Sequence, residues 1–111
     1  MYRLFQWLLL LLWLMVSPLL AEEQAEADKH KDWVRANYSK FEYRIPMRDG
    51  TKLFTTVYRP NWSRGKFPIV LMRTPYSAGP YGASHYRGLL GPYPAFDKEG
   101  FVFCFQDVRG R

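Results

Sequence analysis

Phe67-Pro-Ile-Val-Leu-Met-Arg-Thr-Pro-Tyr76 is the stretch that decides the fold. Its apolar run, Ile69 to Met72, is far too short to cross a membrane and shows no alternation, which suits a central strand covered on both faces of an α/β sheet. Pro68 enters the run, and Pro75, which has no N–H to give to a sheet ladder, leaves it. In open α/β sheets ligands gather at the carboxyl ends of the strands, so Arg73-Thr-Pro-Tyr76 occupies the edge where chemistry happens. Tyr76 is therefore the candidate functional residue, with an ordinary strand-to-loop exit as the alternative.

Upstream, Phe41-Glu-Tyr-Arg-Ile-Pro-Met47 alternates strictly and places Phe41, Tyr43, Ile45 and Met47 on one face, the pattern of a half-buried strand. Asp49-Gly50 supplies a pair that tolerates positive φ, and Leu53-Phe-Thr-Thr-Val-Tyr58 follows as a β-branched and aromatic partner. The two predict an antiparallel hairpin, closed by Arg59-Pro60 and a polar turn through Asn61-Trp-Ser-Arg-Gly65. Asn37-Tyr-Ser39 and Asn61-Trp-Ser63 match the glycosylation triplet, a pattern that also arises often by chance.

Downstream of Tyr76, residues 77–94 are too rich in glycine, proline and tyrosine for a regular element, and a long ordered loop is usually functional. Gly79, Gly82, Gly88 and Gly91 lack the spacing and the Lys-Ser/Thr ending of a phosphate cradle, which sets nucleotide binding aside. Pro94 to Glu99 predicts a short helix with Gly100 in the left-handed position past its end. Phe101-Val-Phe-Cys-Phe-Gln106 is a second buried strand. Cys104 sits within it, where an apolar setting makes it a packed, inert thiol rather than a nucleophile. Asp107-Val-Arg109 leaves on the same edge as Tyr76 and reads as a structural ion pair.

Residues 1–21 have the layout of a secretory signal peptide. Arg3 precedes an apolar core from Leu4 to Val16, Pro18 breaks the helix, and Ala21 is a small residue at a cleavage site. Cleavage after Ala21 is the first reading, Ala25-Glu-Ala27 offers a second site, and a retained amino-terminal anchor is the third reading because Leu19 is not small. Residues 22–40 then read as a polar linker or frayed helix, in which His30 is solvated and no ligand set of metal-binding spacing occurs. Removal of the signal leaves about 90 residues, near the lower limit for one compact domain. The chain has 111 residues and a formal charge of +6, but its cationic residues form no run or stripe, so they describe a solvated surface and not a nucleic-acid interface.

Three motifs in order, Met47-Arg-Asp-Gly-Thr-Lys-Leu53, Arg73-Thr-Pro-Tyr76 and Gly100-Phe-Val-Phe-Cys-Phe-Gln-Asp-Val-Arg-Gly110, resemble the start of the Xaa-Pro dipeptidyl-peptidase-like serine hydrolases. That family includes the cocaine-esterase-like enzymes and the α-amino-acid ester hydrolases, and the resemblance spans residues 41–111. It implies the amino-terminal part of an α/β-hydrolase fold, incomplete here, with the hairpin followed by two buried strands. It implies that the hydroxyl of Tyr76 donates to the oxyanion of a tetrahedral intermediate, in keeping with the general placement of an oxyanion-hole donor in the loop after the third strand.

The nucleophile, acid and histidine of such an enzyme are expected after Arg111, since Ser63, Ser77 and Ser84 lack G-x-S-x-G surroundings. The expected function is that of the amino-terminal fragment of a secreted or periplasmic hydrolase acting on a small acyl ester, amide or peptide. The fragment alone is expected to be inactive, and no cofactor or metal is implied. The membrane is met only through the signal segment. A small secreted binding or interaction protein is the alternative from a different class, favoured by the stand-alone length and the tyrosine-rich loop.

Overall fold

The computed structural model describes residues 2–62 and 65–110, so Met1, Ser63, Arg64 and Arg111, with the serine of the second glycosylation triplet and the Ser63 reading, lie outside the described residues. The elements run in the order α1 (Tyr2–Asn37), β1 (Tyr38–Pro46), β2 (Lys52–Pro60), β3 (Ile69–Thr74), α2 (Pro94–Asp97) and β4 (Val102–Asp107).

The four strands form one mixed sheet in the order β1-β2-β4-β3. β1 and β2 are antiparallel with Pro46 opposite Lys52, and the turn between them is closed by Gly50 N–H donating to the Met47 carbonyl at 2.9 Å. Gly50 has φ of +87°, the left-handed conformation that costs glycine nothing and an L side chain about 1–2 kcal/mol. β4 pairs antiparallel with β2 and parallel with β3, the latter in the register Thr74 opposite Asp107. The expected hairpin and two further strands are all present, the hairpin strands being longer than the apolar pattern alone marked.

One face of this sheet carries Tyr38, Lys40, Thr56, Tyr58, Phe103 and Phe105, all buried. Val34 of α1, Ala78 and Leu90 complete the core. The aromatic rings meet edge to face, with Tyr58 against Phe105 at 5.8 Å and Tyr38 against Trp62 at 5.3 Å. Phe41, Tyr43 and Ile45 lie on the opposite face and are exposed. The alternation of β1 is real but inverted: its apolar positions face outward, while Tyr38 and Lys40 are the residues the fold buries, because the long loop packs on their side.

β3 departs from its reading as a buried central strand. It is an edge strand whose neighbour among the described residues is β4, and Ile69 is 67 % exposed, with Leu71 and Met72 about half exposed. Only Val70 packs against the core. Strand β4, between β2 and β3, is buried as expected.

α1 also differs from its reading. It runs unbroken through Pro18, where Ser17 Oγ donates to the Trp13 carbonyl at 2.8 Å. It continues through residues 22–37, whose alanine, glutamate, glutamine and lysine are strong helix formers. Gln24 Nε2 donates to Asp28 Oδ1 at 3.1 Å along that exposed surface. The polar stretch is thus a docked helix: His30, Trp33, Val34 and Asn37 form the i, i+3, i+4, i+7 stripe that meets the domain. The upstream apolar part, long and apolar enough to cross a membrane, is unburied.

Candidate functional site

The parallel pairing of β3 with β4 brings two chain exits to one edge. β3 ends at Thr74, Pro75 stops the ladder, and Tyr76 follows, 84 % exposed. Tyr76 N–H donates to Thr74 Oγ1 at 3.0 Å, a local turn that Thr and Ser favour. Among the described residues the Tyr76 hydroxyl has no hydrogen-bond partner. An exposed phenol at the carboxyl edge of a sheet can present one O–H donor to a bound group.

Asp107, at the end of β4, is buried and faces the segment that follows Tyr76. Its Oδ1 accepts from Ala78 N–H at 2.7 Å and its Oδ2 accepts from the Tyr81 hydroxyl at 2.7 Å. The expected Asp107–Arg109 ion pair is therefore not formed. Arg109 donates instead to both carboxylate oxygens of Asp49 in the hairpin turn, at 2.6 and 3.0 Å. This paired hydrogen bonding draws the Asp49 carboxyl down to about 2.

The remainder of the loop is held by a buried amine. Lys40 Nζ donates to the carbonyls of Pro80, Gly82 and His85, at 2.6 Å and 2.9 Å for the first two, and lies 3.3 Å from Glu42. A buried ammonium needs such compensation, and three carbonyls supply it. Tyr58 and Tyr86 accept backbone N–H groups of Arg87 and Lys40, and burial pushes the Tyr58 hydroxyl up. Burial likewise pulls Arg87 down, with its guanidinium 3.9 Å above the Phe105 ring and donating to the Ser77 carbonyl. None of these contacts follows from the spacing of the loop residues.

His30 requires a correction. It is not solvated: its Nε2 lies 2.7 Å from Asp97 Oδ2, and its ring stacks on Trp33. Asp97 is fully buried in α2 and also accepts from Leu90 and Gly91 N–H, while its carbonyl accepts from the Tyr38 hydroxyl at 2.6 Å. Burial and the Asp97 charge together push the Tyr38 hydroxyl up. The stripe of His30, Trp33, Val34 and Asn37 was the available signal, hidden by the polar composition around it.

Cys104 lies on the partly exposed face of β4, and burial pushes its thiol up, as an inert thiol requires. His85 lies in the loop, contributing its carbonyl to Lys40. Ser77 Oγ donates to the Tyr81 hydroxyl and accepts from Gly79 N–H, so it is a loop brace. No group of three metal-ligating side chains lies together among the described residues.

The sequence model for X-Pro dipeptidyl-peptidase (S15 family) matches residues 49–111, more than half of the chain. The chain belongs to this family of hydrolases. The matched region contains all of β2, β3, α2, β4 and the Tyr76 loop. Cocaine esterase from Rhodococcus sp. (strain MB1 Bresler) is 32% identical over 66 residues, 60% of this chain and 11% of that enzyme. The structure of an α-amino acid ester hydrolase superposes with a TM-score of 0.55 at 41% identity, covering 68% of this chain and 13% of the other. An aminopeptidase from a marine sediment Thaumarchaeota archaeon gives a TM-score of 0.52 at 32% identity, over the same shares. The mixed sheet is thus part of an α/β-hydrolase-type fold, and the chain spans about an eighth of the length of the relatives it matches.

Proposed function

We propose that this chain is the amino-terminal part of an exported serine hydrolase that transfers an ester or amide acyl group to water, with Tyr76 as an oxyanion-hole donor. The observation that carries the reading is the exposed Tyr76, set beyond the carboxyl end of β3 within the region that matches the family. A serine elsewhere in the polypeptide attacks the acyl carbonyl, the carbonyl oxygen gains negative charge, and the Tyr76 O–H donates to it. Collapse of the intermediate expels the leaving group and forms the acyl-serine, which water then hydrolyses. A preoriented donor lowers the barrier because its bond is strongest to the charged oxygen of the intermediate. Similarity to a cocaine esterase, an α-amino acid ester hydrolase and an aminopeptidase supports an acyl substrate without choosing among these.

The test is steady-state hydrolysis of an activated ester by the polypeptide that joins this chain to a downstream G-x-S-x-G segment. Tyr76→Phe removes one donor and leaves the ring, so turnover should fall about 100-fold to 1000-fold. Turnover within a few-fold of the parent, with folding unchanged, would make Tyr76 a surface residue with no part in the reaction.

A further inference from the structure

Tyr76 sits exposed at the start of the long loop, and an oxyanion donor works only if it is held in place before the substrate arrives. Pro75 cannot extend the ladder, and Tyr76 is mostly exposed, so little packing of its own fixes it. The fixing comes from the end of the neighbouring strand, where Val108 holds the amino side by its backbone and Asp107 the carboxyl side by its side chain. On the amino side of Tyr76, Thr74 is paired in register with Asp107, and Val108 N–H donates to the Thr74 carbonyl at 3.2 Å. On the carboxyl side, Ala78 N–H and the Tyr81 hydroxyl both end on the Asp107 carboxylate.

We propose that Asp107 is the positioning residue for Tyr76, staking the carboxyl side of its segment to the end of β4 through carboxylate bonds to Ala78 and Tyr81, while the backbone bond from Val108 holds Thr74 on the amino side. The proposal rests on the oxyanion reading of Tyr76 and adds the device that sets its geometry.

The choice of residue follows from chemistry. A buried carboxylate is costly unless its oxygens are satisfied, and here each takes one strong donor from the loop, so the charge and the loop conformation stabilise each other. Tyr81 packs edge-on against Phe54 at 4.9 Å, which fixes its hydroxyl at the carboxylate. The carbonyl of Ala78 faces Thr56 Oγ1 at 3.4 Å, and Arg87 holds the Ser77 carbonyl at 3.2 Å, so the loop is also braced behind Asp107. Beyond Ala78 the next firm hold is Lys40 at Pro80. Losing the carboxylate would leave the segment around Tyr76 tied through Thr74 and these weaker bonds.

The experiment uses the polypeptide that joins this chain to the nucleophile segment. Asp107→Asn keeps the side-chain shape but removes the charge and one of the two acceptor oxygens. It should lower kcat about 10-fold to 100-fold with KM within two-fold, because the donor is displaced while ground-state binding is kept. In the Tyr76→Phe background the same substitution should cost less than two-fold, since the group it positions is gone. Hydrogen exchange at residues 76–81 should rise about ten-fold in Asp107→Asn, with the strands unchanged. Tyr81→Phe, which deletes one contact and keeps the ring, gives an intermediate loss and covers the case in which Asp107→Asn fails to fold. Independent, multiplicative losses, a raised KM at unchanged kcat, or unchanged exchange at residues 76–81 would each overturn the proposal. If Tyr76→Phe itself retains full turnover, the oxyanion reading fails separately. The positioning claim is then decided by exchange alone: a rise confined to the loop upholds it and its absence overturns it.

Discussion

His30 is one of the residues that attach α1, with Trp33 and Val34, and its environment sets what its removal costs. Its ring bonds a fully buried carboxylate that already takes two backbone donors, and it stacks on Trp33, so the pair joins α1 to α2 and to the end of the loop. A hydrogen bond to a buried charged group contributes about 1.5–3 kcal/mol. His30→Ala should therefore raise the rate of tryptic cleavage at Lys29, Lys31 and Arg35 by roughly 10-fold to 100-fold, since cleavage of a helix requires it to open locally. The check is limited proteolysis with mass-spectrometric assignment of the cut sites, parent and variant side by side. Equal cleavage rates would mean that Trp33 and Val34 hold the helix without the histidine. Asp49 and Arg109 act at the same scale with a smaller effect: they link the hairpin turn to the segment after β4, but both are open to solvent.

At the scale of elements, α1 is two helices by environment and one by backbone. Its upstream apolar part touches no core, while Val34 is fully buried and His30 and Trp33 are held against the domain. Export with cleavage after Ala21 would divide it at that change of environment. The mature chain should then begin at Glu22 and keep the docked turns, read by amino-terminal sequencing of exported material. Finding Met1 intact in a membrane fraction would show the apolar part retained as an anchor. α2 illustrates the opposite case, an element of four residues that is fixed by its neighbours. Pro94 opens it, Gly100 follows with φ of +92°, and Asp97 at its end satisfies the loop before it.

For the whole molecule, the two sheet faces are unequal. The loop, α2 and the end of α1 cover one, whereas the other presents Phe41, Tyr43, Ile45, Ile69 and Leu71, and β3 leaves its outer edge unpaired among the described residues. Exposed apolar surface beside an open strand edge recruits other chains. Residues 22–111 expressed alone should self-associate and lack esterase activity, as sedimentation and an activated-ester assay would read. A soluble monomer with a cooperative thermal transition would mark a self-sufficient domain and favour a binding protein. Replacing Ile69 and Leu71 by threonine, which keeps strand propensity, should reduce that association.

Local chemistry was enough for the sequence to determine the hairpin, the two further strands, the short helix and the position of Tyr76 at their carboxyl edge. Each depends on near neighbours: alternation along residues 41–47, the positive φ that Gly50 and Gly100 permit, and the prolines that bracket β3. Only the tertiary structure decided which face of each strand is inside. Alternation gives two faces and not their direction, and in β1 the long loop buried Tyr38 and Lys40 while the apolar face stayed outside. Long-range partners were likewise illegible, because Asp107 meets Tyr81, Asp49 meets Arg109 and His30 meets Asp97 across 26, 60 and 67 residues. A carboxylate shows its charge in the sequence, but its partner is chosen by the register of the sheet and the path of the loop.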